Sequence, residues 1–204
     1  MSEKNLLDRI TGGALDRRGF VKRIGATSLG VAAMAAVGTQ FASGQDSTDV
    51  PTISDTDILN FALNLEYLEA EFYLMATWGT TLEGLGILKA SDTTGPTTGG
   101  KMVNFSGANV SFVASGLRTD EMNHVIYLRS TLGSAAVKKP AINLDALGYG
   151  FANVNDFLKL GRQFEDVGVS AYLGAAPLIV SKTYLAAAGA ILATEAQHSG
   201  QVRL

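Results

Sequence analysis

The stretch "TDEMNHVIYLRS", Thr119–Ser130, decides the fold. Its apolar residues recur at the three- and four-residue spacing of a helix, with Glu121 and His124 set three apart among them. "ILATEAQHSG", Ile191–Gly200, repeats the arrangement with Glu195 and His198. The chain has only 2 histidines, and both follow a glutamate at this spacing. Chance placement would give each histidine such a neighbour roughly once in 25, so the double occurrence lowers the false-positive risk of the motif, with Glu–His pairs on solvated helix flanks as the alternative. Three residues turn a helix by about 300°, which puts each Glu and His on one face, one turn apart. Leu117 and Leu128 flank the first pair on that face, and Leu192 and Val202 flank the second.

Two more helices are predicted around these. "SDTDILNFALNLEYLEAEFYLMATW", Ser54–Trp78, opens with cap-type residues and then repeats Ile58, Leu59, Ala62, Leu63, Tyr67 and Ala70. This predicts an amphipathic helix of about 20 residues ending near Gly79. Residues 79–108 are rich in Gly, Thr and Ser and predict a long structured loop before a helix at 109–132. A connector broken by Pro140 leads to a third helix, capped at Asn153, Asn155 or Asp156, which fades towards Pro177. A fourth runs from about Ser181 towards the last residue. Four long helices without a convincing strand pattern predict an all-α four-helix bundle with long loops between helices 1 and 2 and between helices 2 and 3.

In the first helix Glu66 shares its face with Leu59, Ala62, Leu63 and Tyr73; in the third, Glu165 shares its face with Leu158, Gly161 and Tyr172. The order Glu…Tyr, ExxH, Glu…Tyr, ExxH amounts to a weak internal duplication. An unpaired carboxylate in a core costs several kcal/mol, so four together need protons or cations. Two divalent ions supply the matching positive charge, and an oxygen-rich set with two imidazoles suits iron or manganese. One Glu from each of two helices plus Glu-x-x-His from each of the other two is a known di-metal ligand set. Glu66, Glu121, His124, Glu165, Glu195 and His198 supply all six members.

"LNLEYLEAEFY", "DEMNHVIYLRSTLG", "FEDVGVSAYLGAA" and "ILATEAQHSG" together resemble the ferritin-like superfamily. More narrowly, they resemble exported ferritin-like domain proteins, a group that includes plant desiccation-related proteins. The likeness spans about residues 55–203. It implies that Glu66 and Glu165 are terminal metal ligands, that Glu121 and Glu195 bridge two metals, and that His124 and His198 bind one metal each. For activity it implies only a range, from ferroxidases, peroxidases and manganese catalases to members with no demonstrated chemistry.

The ends and the charge complete the expectation. Six of the 16 Lys+Arg fall within the first 23 residues, while from Gln45 onward 10 basic and 16 acidic residues leave a net of −6. That body offers no basic face for nucleic acid. "DRRGFVKR", Asp16–Arg23, precedes a 14-residue small and apolar run to Val37 and then "FASGQ". The run is too short to span a bilayer, and the pattern resembles a twin-arginine export signal over residues 1–44, with 45–54 as spacer and 55–204 as the helical domain. Periplasmic or extracellular localisation is the expectation, with membrane contact only through the signal. The alternative is an anchoring N-terminal helix. There are no cysteines, which excludes disulfides, thiolate metal sites and cysteine nucleophiles.

Other features receive plainer readings. Glu69, one turn after Glu66, is read as a solvated flank position, with a place behind the ligands as the alternative; Glu71 is read the same way. Tyr73 and Tyr172 are read as core packing, with a place behind the ligands as the alternative, and Trp78 has no evident partner. "GPTTGGKM", Gly95–Met102, mimics a phosphate-binding loop but has Met102 where Ser or Thr is needed and no strand before it. No GxSxG accompanies a Ser-His-Asp arrangement. Two functions are therefore expected: an exported di-metal protein doing redox work on oxygen, peroxide or ferrous iron, or a non-catalytic stress-related binding or structural protein whose site is vestigial or only stabilises the bundle. A small oxidant or a metal ion is the expected partner; an oligomer is compatible with the sequence but not indicated by it.

Overall fold

The computed structural model describes residues 53–106 and 109–203. Residues 1–44, and the spacer as far as Thr52, lie outside the described residues. Four long helices dominate: α1 (Asp55–Trp78), α2 (Val110–Leu132), α3 (Val154–Ala175) and α4 (Lys182–Gln201). They form the expected four-helix bundle, α1 packing most extensively on α2 and α3 on α4.

Local chemistry sets the ends. Ser54 caps α1 through a capping box with Asp57: the Ser54 hydroxyl accepts from the Asp57 amide, and the Asp57 carboxylate accepts from the Ser54 amide at 3.0 Å. Gly79 ends α1 at φ +63°, a conformation glycine adopts without strain. Among the three candidate caps of α3, Asn153 takes the role, accepting from the Asp156 amide at 3.0 Å. Ser181 caps α4 by accepting from the Tyr184 amide.

The first helix departs from expectation. The sequence pattern predicts an amphipathic rod with a wet flank, yet nearly every residue from Ile58 to Ala76 is buried. The long loops are the reason, since they cover its polar side. The Asn60 amide donates to the Ala135 carbonyl at 2.9 Å, and its oxygen accepts from the Val137 amide at 2.8 Å. The Tyr67 hydroxyl donates to the Val137 carbonyl and accepts from Arg129. Asn60 and Tyr67 of α1 thus bind loop backbone. Glu71 is wholly buried, correcting its reading as a solvated position.

The two loops meet in a short parallel ladder that the sequence pattern did not announce, Thr97–Thr98 against Ile142–Asn143. Lys139 clasps them. Fully buried, its ammonium lies 3.1 Å from Glu83 Oε1 and 3.7 Å from Glu71 Oε1, and donates to Thr97 Oγ1 at 2.8 Å. Burial pushes Glu71 up to about 8 despite the pull of Lys139, which leaves Glu83 as the main counter-charge. The stretch Gly95–Met102 lies in this loop layer with no helix after it until Val110, so it is no phosphate cradle. An aromatic cluster fills one end of the bundle: Phe72 stacks on Phe157 at 5.3 Å, and Phe164 and Phe151 meet it edge-on. The same cluster grips the Tyr73 ring against Phe72 and Phe157. Trp78 does have a partner, the Arg118 guanidinium 3.7 Å above its ring.

Removing one partner of a buried ion pair strands the other. Lys139→Ala should therefore cost about 3–5 kcal/mol in urea unfolding, and Lys139→Met with Glu83→Gln, which removes the counter-charge as well, should recover most of it. A loss below about 1 kcal/mol would mean that the clasp contributes nothing beyond ordinary surface pairing.

Candidate metal centre

Each helix brings its polar insertion to the middle of the bundle. Glu66 comes from α1, Glu121 and His124 from α2, Glu165 from α3, and Glu195 and His198 from α4. The four carboxylates are wholly buried. Both imidazoles aim Nδ1 inward. His124 Nδ1 lies 3.1 Å from Glu66 Oε2, 3.0 Å from Glu121 Oε2 and 3.5 Å from Glu195 Oε1. His198 Nδ1 lies 2.7 Å from Glu121 Oε1 and 3.4 Å from Glu165 Oε2.

These atoms form two groups, each with ligand-type atoms within 4.8 Å of one another. One comprises Glu66, Glu121, His124 and Glu195, and the other Glu121, Glu165, Glu195 and His198. Glu121 and Glu195 belong to both. All six residues singled out in the sequence are thus brought together, and the two shared carboxylates are the two that the resemblance would make bridging.

The chemistry of the donors fits cations. Glu121 Oε1, Glu165 Oε2, both oxygens of Glu195 and His198 Nδ1 are buried without an aligned hydrogen-bond partner, although some sit within ion-pair distance of one another. The carboxylate oxygens converge on shared space, where His198 Nδ1 and His124 Nδ1 are the nearby donor atoms among the described residues. Orphaned buried acceptors on this scale are rare in folded proteins and need a compensating charge.

Without metal, protons fill that role. Burial opposes the imidazolium of His124, yet hydrogen bonds and charge from Glu121 and Glu66 outweigh it and hold its pKa at about 10. Burial likewise opposes His198, and Glu121 with Glu165 raises it to about 11. Burial and the charge of Glu66 push Glu121 to about 7, against the pull of both histidines. Burial and the charges of Glu121 and Glu69 push Glu195 well above the ordinary carboxylate range. Glu66 moves the other way: burial raises it, but bonding and charge from His124 bring it below its ordinary value.

A surrounding frame fixes the donors. The Tyr73 hydroxyl of α1 donates to Glu165 of α3, and the Tyr172 hydroxyl of α3 donates to Glu66 of α1. The tyrosines therefore reach the ligand carboxylates as well as pack in the core. Two glycines of α3 make the space: a Cβ at Gly161 would sit 3.2 Å from the Tyr73 hydroxyl, and one at Gly168 would run into Glu195 Oε2. The end of α4 is tied down just beyond His198, where fraying would otherwise loosen the site. Arg162 Nε donates to the Val202 carbonyl at 2.7 Å, and Asp166 binds Arg203 and Ser199.

Two residues were placed wrongly or missed in the sequence. Glu69 is only 3% exposed and lies beside the ligand set, so the solvated-flank reading is corrected in favour of the alternative. It is in neither four-residue group. Burial and the charges of Glu121, Glu165 and Glu66 push its pKa well above the ordinary carboxylate range. Gly168, one turn after Glu165 as Glu69 is one turn after Glu66, leaves the room in which these side chains meet. Asp120 was missed: its Oδ2 lies 3.1 Å from His198 Nε2, on the far side of the ring from the ligands. Its signal was its place immediately before the first ExxH glutamate, which turns it towards the neighbouring helix.

Groups raised on folding stabilise fully below their unfolded pKa and lose that contribution as pH rises through the folded value. For Glu121 the window runs from 4.5 to about 7, for His124 from 6.5 to about 10, and Glu66 acts oppositely, only as pH falls below 4.5. The melting temperature of chelator-treated protein should therefore fall between about pH 5 and 8, by about 2–4 °C per kcal/mol at this size. Stabilisation by added Mn²⁺ should grow over the same interval, because metal binding needs deprotonated ligands. A flat profile in chelator would contradict this electrostatic picture.

The comparisons with known proteins agree with the geometry. No curated protein matches the chain. A family model described as a ferritin-like domain matches residues 54–204, which takes in all four helices and every residue of the cluster. The chain belongs to the ferritin-like domain family.

Proposed function

We propose that this protein is a di-metal carboxylate bundle of the oxidoreductase type, acting on oxygen, peroxide or ferrous iron in stress protection. The observation that carries the reading is the convergence of Glu66, Glu121, His124, Glu165, Glu195 and His198, with oxygens of Glu121, Glu165 and Glu195 buried there without an aligned hydrogen-bond donor. Glu66 and Glu165 would each hold one metal, Glu121 and Glu195 both, and each histidine one through Nδ1. When bound, a pair of iron or manganese ions supplies electrons and Lewis acidity towards a small oxidant.

The chain's own residues do the rest. Glu121 and Glu195 fix the spacing of the two positions. Tyr73 and Tyr172 hold the outer carboxylates by hydrogen bonds that cross between α1 and α3. The surrounding leucines and aromatics exclude bulk water, which strengthens every charge interaction inside. A narrow apolar crevice lined by Ile58, Leu59, Ala62, Ala171 and Ala188 reaches Tyr172, whose hydroxyl touches Glu66. Such a wall favours a small uncharged oxidant over a hydrated ion.

The enclosure of the ligands favours a second reading, in which a desiccation- or stress-related protein uses metal only to hold the bundle together. Metal bound solely by the folded state stabilises it by mass action, with no turnover required. The basic leader with paired Arg17 and Arg18 supports export by the twin-arginine route in either case.

Purified protein should contain two iron or manganese ions per chain and consume peroxide, oxygen or Fe(II). Glu121→Ala and His124→Ala should each lower metal content and cut turnover by more than about 100-fold, beyond what loss of a supporting residue costs. In cells making the full chain, activity should follow the exported fraction, and Arg17→Lys with Arg18→Lys should keep it inside. Two metals without turnover would select the structural reading, and absence of metal would defeat both.

A further inference from the structure

The two halves of the centre obey an internal two-fold relation. Glu66 corresponds to Glu165, Tyr73 to Tyr172, Glu121 to Glu195 and His124 to His198, and the tyrosine–glutamate bonds cross symmetrically. The relation breaks at the residue before each ExxH glutamate, which is Asp120 in α2 and Thr194 in α4.

The break falls on the metal-binding histidines. His198 holds Nδ1 towards Glu121 and Glu165 while its Nε2 meets Asp120 Oδ2 at 3.1 Å. Its side chain is 1% exposed. His124 also turns Nδ1 inward, but its Nε2 has no hydrogen-bond partner among the described residues, and its side chain is 11% exposed. The residue corresponding to Asp120 does not help it: the Thr194 hydroxyl donates to the Ala190 carbonyl at 3.3 Å, within its own helix.

We infer that the two metal positions are unequal, that the one served by His198 fills first and binds more tightly, and that Asp120 creates the difference. The inference rests on the di-metal reading above. A carboxylate on the far nitrogen of a ligating imidazole keeps the proton on Nε2 and the lone pair on Nδ1, locks the ring plane and makes the donor nitrogen more basic. His198 has the Nε2 partner and the locked ring plane built in, so that metal has only to displace the Nδ1 proton. His124 gives up its Nδ1 proton in the same way but has, among the described residues, no carboxylate to hold the proton that stays on Nε2. Partners of this type are worth about 10- to 100-fold in metal affinity, and Asp120, with 45% of its side chain exposed, belongs near the lower end. The consequence for function is a centre that holds one metal persistently and exchanges the other, so that under scarcity the singly loaded protein dominates.

Calorimetric titration of the metal-free full chain with Mn²⁺ tests this. Two steps separated by about tenfold or more are expected, with His198→Ala abolishing the tight step and His124→Ala the weak one. Asp120→Asn should weaken the tight step by about tenfold and leave the weak step unchanged. Thr194→Asp should tighten the weak step, an effect that no general loss of structure can mimic. A single affinity for both ions in the wild type, or equal weakening of both steps by Asp120→Asn, overturns the inference while leaving the di-metal reading intact. No Mn²⁺ binding by the wild type overturns both.

Discussion

Mutual repulsion among carboxylates that have lost their water is the constraint on which this fold turns. Glu66, Glu121, Glu165 and Glu195 are wholly buried within reach of two imidazoles. No arrangement of four anions in a bundle core is stable without matched positive charge. In the metal-free protein the matching charge is made of protons, on both histidines and on the carboxyls that burial pushes up. The same ligand atoms, deprotonated, are what a pair of divalent cations requires. Under the proposed reading the centre exchanges protons for metal, and the bundle must hold its shape in both conditions.

Much of the remaining structure serves that rigidity. The long loops wrap α1, satisfy its polar side with backbone groups, and are clasped by Lys139. The aromatic cluster fixes the Tyr73 ring, and Tyr73 in turn fixes Glu165. Arg162 and Asp166 of α3 anchor the end of α4 next to His198. Gly161 and Gly168 sit inside α3, where glycine weakens a helix by about 1 kcal/mol, because any side chain there would displace Tyr73 or Glu195. Local stability is given up where the site needs space.

The legible part of this protein lay in residues that break a pattern. A glutamate and a histidine on an apolar helix face contradict the stripe around them, so the four helices and the six converging side chains could be read from spacing alone. Glu69 and Glu71 could not. Glu71 is buried by loops at 79–106 and 133–153 folding over α1, and Glu69 sits in the room that Gly168 leaves beside Glu195; helical periodicity carries no information about what covers a helix. Asp120 was hidden for a related reason: it lies off the apolar stripe, and its bond to His198 crosses to a helix more than seventy residues away. The short ladder between Thr97–Thr98 and Ile142–Asn143 is too brief to leave an alternating pattern.

The central claim is that paired cations occupy the space between Glu121 and Glu195. Anomalous diffraction from crystals of the metal-loaded protein, recorded at the manganese and iron edges, tests it most directly. Two peaks about 3.5–4 Å apart are predicted, one beside His124 and Glu66 and the other beside His198 and Glu165, with Glu121 and Glu195 reaching both. A core free of anomalous signal, or a single peak on the outer surface of the bundle, would contradict the account.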